Sequence, residues 1–177
     1  MSEVKRYHPS LVVLHWLLAF AIAGVFVMGA FVLDEMKNDV PEKMQLLQMH
    51  ILGGVSIMLL TIVRLIVRIK TDKPAPVVTD NPKMDKLGSN VHYALYLFTV
   101  LAAMSGMALS IKADLLNILF RHIGSLPADF EGYAAHEVHA VMAMVLIALS
   151  VVHVAGALKH QVVLKNNILA RMSLRKD

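Results

Sequence analysis

Residues 136–160 read HEVHAVMAMVLIALSVVHVAGALKH, and from Val138 to Leu158 there is no Asp, Glu, Lys or Arg. A run of this length crosses the apolar core of a bilayer, which takes about 20 residues at roughly 1.5 Å rise each. It nevertheless contains His139 and His153. Ionisable groups inside a membrane span are costly and mark function by default. The two histidines are 14 residues apart, about 21 Å along a helix and nearly four turns, so both project from one face at opposite membrane levels.

Three further stretches lack charge over a comparable length: Tyr7–Leu33, Met44–Val63 and Leu87–Ile111. With 57% apolar residues, 17% charged and a mean hydropathy of +0.62, the chain reads as an integral membrane protein and not as a soluble domain. The expected fold is all-α, a four-helix membrane bundle forming one domain over residues 1–177. Its helices are predicted at about 10–33, 44–69, 89–111 and 133–161. Ser10 and Ser89 are candidate N-caps, and Pro41 with Glu42 suits the opening of the second helix. Pro74, Pro76 and Pro82 among charges make residues 71–86 a polar connector. The first apolar run is too long for a cleaved leader and is followed by no small-residue cleavage pattern, so it is expected to remain as a span. The absence of cysteine excludes disulfides, iron–sulfur clusters and thiolate-ligated or covalently attached haem.

An even number of spans puts both termini and the 71–86 connector on one side. Of the 17 Lys and Arg, 13 fall there, leaving only Lys37, Lys43, Lys112 and Arg121 on the other. The positive-inside rule then makes the termini cytoplasmic and the loops 34–43 and 112–133 external. The basic tail from Lys165 to Lys176 reads as the same topology signal together with attraction to anionic lipid. Nothing in the sequence points to nucleic acid.

Depth pairs the remaining intramembrane histidines. His15 lies early in a helix that starts inside, so it shares the inner level with His153; His50 lies early in a helix that starts outside, so it shares the outer level with His139. Histidines offered in twos, with few carboxylates at the same level, do not suit zinc. They suit two b-type haems, each supplying its own four equatorial nitrogens and filling both axial positions with imidazole, a ligation for carrying electrons and not oxygen.

His136 is turned about 100° from the direction of His153, against about 40° for His139, so His139 is preferred. His160 shares the face of His153 a further two turns down, a depth that suits a quinone head group. His92 opens the third helix at the inner level, where the two iron positions are already filled. Arg68, 18 residues after His50, and Arg64 one turn before it lie at the inner edge and are candidate partners for haem propionates. Gly29 and Gly106 fall near the outer haem level, where small residues let a helix or a macrocycle approach.

The segments LHW at His15, QMHILGG at His50 with VRLIVR after it, VHYALY at His92, and HEVHAVMAMVLIALSVVHVAGALKH running into NNILARM resemble the bacterial cytochrome b561 family of small dihaem membrane cytochromes, over nearly the whole chain and in the same order. The resemblance implies that His15, His50, His139 and His153 are the haem ligands, in the pairing that depth gives. It departs at Ala140, where the family often has Glu, and at Gln161, where it often has a second histidine. It further implies residence in the bacterial inner membrane and electron exchange with the quinone pool. For some members this is superoxide oxidation outside with ubiquinone as acceptor. The other activity considered is that of an electron-transfer subunit linking quinol to a periplasmic redox partner. The external segments also carry Asp34, Glu35, Asp39, Glu42, Asp114, Asp129, Glu131 and Glu137, a negative background against which an anion would have to be steered.

Overall fold

The computed structural model describes residues 6–76 and 82–174. Lys5, Arg175 and Lys176 of the inner basic set lie outside these residues. Helix α1 covers Pro9–Val27 and continues as a wider, π-type turn over Met28–Leu33. Helix α2 covers Pro41–Lys70, α3 Pro82–Lys112, the short α4 Leu115–Arg121 and α5 Ala134–Leu158, which again runs on as a π-type turn over Lys159–Val163. A 3-10 turn over Ile168–Met172 ends the described chain.

Four of these helices, α1, α2, α3 and α5 with their extensions, are long and apolar enough to cross a membrane. In lipid a backbone must satisfy its hydrogen bonds within the segment, which for single spans means helix. Each span turns large apolar side chains outward, among them Phe20, Ile62, Leu97 and Val151, as a surface solvated by acyl chains requires. Prolines set three of the four starts, since the first helical N–H has no intrahelical partner to lose. Thus α1 opens at Pro9, with His8 as N-cap accepting from the Ser10 N–H through Nδ1 at 3.3 Å. Ser10 is therefore inside the first turn and not the cap, and Ser89 lies well within α3, which begins at Pro82.

The packing is uneven, and that unevenness makes the site. α5 lies along α3, α1 along α2, and α2 along α3, whereas neither α1 nor α2 packs closely on α5. A cleft is left between the α1–α2 pair and α5. The loop end of the bundle, opposite the termini, is closed by α4, whose Leu115, Ile118 and Leu119 are buried with Leu33, Leu47 and Ala113. Two side chains staple this cap: Asn38 donates to the Pro127 carbonyl at 2.8 Å, and Gln48 donates to the Leu119 carbonyl.

At the terminal end the chain doubles back beneath α1. The Tyr7 N–H donates to the Arg171 carbonyl at 3.2 Å, the Trp16 indole to the Met172 carbonyl at 3.0 Å, and Arg171 to the Ala75 carbonyl at 2.7 Å. Trp16→Phe removes one such bond, about 1 kcal/mol. The expected result is roughly fivefold faster limited proteolysis within residues 164–174 with the spans intact; an unchanged cleavage rate would mean that the indole bond does not hold the segment.

Candidate functional site

Four histidines meet across the cleft in two facing pairs. His50 of α2 faces His139 of α5 with ring centroids 6.0 Å apart and planes at 87°. His15 of α1 faces His153 of α5, also at 6.0 Å, with planes at 76°. Metal–imidazole bonds of about 2.0–2.1 Å and ring radii of roughly 1.1 Å put the centroids of two imidazoles on opposite sides of one metal about 6.3 Å apart. Both pairs match that spacing. The pairs are stacked along the bundle, since their two members on α5 are 14 residues, about 21 Å, apart.

A third histidine joins the pair nearer the termini. The ring of His92 lies 5.0 Å from that of His153, too close for a metal between them. Its Nδ1 donates to the Gly88 carbonyl at 2.7 Å, within its own helix. Filling two positions at this level by sequence spacing leaves His92 aside; its contact with His153 depends on how α3 and α5 pack, which spacing does not reveal.

Hydrogen bonding fixes which nitrogen of His139 is free. A carbonyl can only accept, so the contact of His139 Nδ1 with the Ala102 carbonyl at 2.9 Å puts the proton on Nδ1 and leaves the lone pair on Nε2. The Ser105 hydroxyl, itself donating to Ala102, stands 3.2 Å from the same nitrogen. Such a partner on the far nitrogen orients and strengthens a metal-binding imidazole. His50 is held differently. Its Nδ1 is buried and has no hydrogen-bond partner among the described residues.

Two glycines give these rings their places. A Cβ on Gly29 would stand 2.9 Å from His50 Cε1, and one on Gly106 would stand 3.0 Å from His139 Cε1. Gly29 lies within the π-type turn of α1, and such turns recur at functional sites. Around this pair opens a cavity of about 1630 Å³ reaching from Ile57 and Ile147 to the loop end, walled largely by apolar side chains and including Gly54 and Met107. His136 lines it too, but its ring sits 6.2 Å from Phe130 and outside both facing pairs.

Near the other pair, Arg64 is buried with its NH1 donating to the Tyr96 hydroxyl and its Nε unpartnered. A buried guanidinium with only a neutral acceptor calls for an anion. Arg68 follows one turn later, half-buried. His160, in the π-type turn after α5, has Asn166 Nδ2 3.2 Å from its Nδ1.

Histidines paired across a cleft, glycines cut to admit their rings and a deep apolar cavity fit a haem. Residues 6–173 match the sequence profile of the family described as prokaryotic cytochrome b561. The chain belongs to this family. It is 28% identical to cytochrome b561 homolog 2 of Escherichia coli over 179 residues, 95% of this chain and 91% of the relative. It is 25% identical to cytochrome b562 of Cereibacter sphaeroides over 175 residues, 97% and 98% of the two chains. As a prokaryotic cytochrome b561 it is a haem-binding, multi-pass membrane protein of electron transfer.

Proposed function

We propose that this cytochrome moves electrons between the outer face of the bacterial inner membrane and the quinone pool, using two b haems, one held by His15 and His153 and the other by His50 and His139. The observation that carries this is the pair of facing histidine couples, stacked at two depths and both completed by α5. A haem held by two imidazoles would supply one-electron transfer. The basic excess at the terminal end supports cytoplasmic termini, so the His15 level is inner and the His50 level outer. Arg64, buried with its Nε unpartnered, and Arg68 one turn later would pair with the inner propionates. His160 would take the quinone head group at the inner edge.

The most specific form of this activity is superoxide oxidation coupled to ubiquinone reduction. Two superoxide ions each give up one electron and leave as dioxygen, and the two electrons with two protons convert one ubiquinone into ubiquinol. Rapid mixing of the oxidised protein with superoxide in the presence of ubiquinone tests it. Reduced b-type bands at a near-diffusional rate, followed by quinol, are expected; oxidised spectra throughout would remove superoxide as donor.

One observation favours a second reading. Asp34, Glu35, Asp39, Asp129 and Glu131 line the outer mouth of the cavity against only Lys37 and Lys43. That field repels a small anion and attracts a basic donor. Under this reading the protein links the quinone pool to a positively charged periplasmic redox partner, and such a partner co-purifies from membranes at low but not high salt.

A further inference from the structure

Helix α2 buries a single stripe made of Lys43, Leu47, Ile57, Thr61 and Arg64. A cation stands at each end of it: Lys43 is 4% exposed and Arg64 9%. Lys43 precedes His50 by seven residues, so it lies about 10.5 Å further toward the outer surface and only about 20° around the helix. Both line the same cavity, with His139 across it.

The ammonium of Lys43 has three donors. One goes to the Met36 carbonyl, and the Phe130 ring lies 5.9 Å away. Neither partner is an anion. Asp34 acts on the ammonium electrostatically, and Glu35 and Asp39 lie along the same cavity, yet Lys43 forms no ion pair with a carboxylate among the described residues. An acid acting at longer range leaves the ammonium's remaining donors open to a closer negative group inside the cavity. We propose that Lys43 anchors a carboxylate of the outer haem, as Arg64 is placed to do at the inner end of the same stripe. It is a positioning residue: it fixes which edge of the macrocycle points outward, and by neutralising that carboxylate it raises the reduction potential of the outer centre. The proposal rests on the reading that His50 and His139 hold this haem.

The test is redox titration of the purified, haem-loaded protein followed by its b-type bands. In Lys43→Met two haems stay bound, one midpoint falls, and at a fixed poise the reduced-to-oxidised ratio of that haem drops about tenfold, ~59 mV for a one-electron couple. Lys43→Arg restores it, and the other midpoint does not move. The same fall appears in a His15→Ala background, where only the outer haem remains. Should Lys43→Met accumulate poorly, Lys43→Gln is read in the same way. Midpoints unmoved by both neutral variants overturn the proposal. Unmoved midpoints with slower reduction by dithionite also overturn it, and assign Lys43 to an external anion instead. Two haems retained in His50→Ala would sink the site reading itself, whatever Lys43 does.

Discussion

Replacing His139 by alanine is expected to lower bound haem from two per chain to one. His50 would be left without its facing ring, and the Ala102 carbonyl and Ser105 hydroxyl would lose the ring nitrogen they hold. Haem extraction and the dithionite-reduced spectrum measure the result directly. His15→Ala should remove the other haem instead, and the double variant both. His136→Ala provides the contrast: its ring lies in the same cavity beside Phe130 but in neither facing pair, so two haems are expected. A His139→Ala protein that kept two haems, or a His136→Ala protein that lost one, would reverse the choice between these neighbours.

The second large effect is expected from the smallest change. Gly29→Ala places a methyl group 2.9 Å from His50 Cε1, and Gly106→Ala places one 3.0 Å from His139 Cε1. Either ring must tilt or its helix must move, and overpacking of this kind costs about 1–3 kcal/mol. That corresponds to roughly fivefold to a hundredfold weakening of haem retention, read as the rate at which an apo-haemoprotein in excess strips haem from the solubilised variant. Gly24→Ala is the internal control, because a Cβ there meets nothing within 4 Å. If Gly29→Ala held its haem as well as Gly24→Ala, the ring of His50 would not depend on that contact.

Pairing by depth is legible in the sequence because helical rise and alternating direction of the spans convert residue number into level. The level of Gly29 and Gly106 follows from the same conversion. What stays hidden is lateral. That His92 touches His153, and that Ser105 and the Ala102 carbonyl hold His139, depends on α3 packing along α5. No periodicity within either helix encodes which neighbour it takes. Lys43 is a middle case: the seven-residue offset from His50 is plain in the sequence, but a lysine beside Pro41 and Glu42 reads as loop charge until its ammonium is seen to turn to the Met36 carbonyl near the Phe130 ring. The short α4 is missed for a simpler reason: seven residues are too few for apolar periodicity to separate helix from loop.

The division of the bundle also bears on biosynthesis. Each facing pair draws one histidine from α5, while α1 and α2 scarcely touch that helix. A nascent chain with three spans inserted therefore presents His15 and His50 on the open side of an incomplete wall. The fourth span then completes both couples in one insertion event. Residues 171 and 172, which tie the terminal end to Tyr7, Trp16 and Ala75, emerge later still. On the proposed ligation, cofactor acquisition waits on the last step of membrane insertion, and the tail latches an end of the bundle that is otherwise already built.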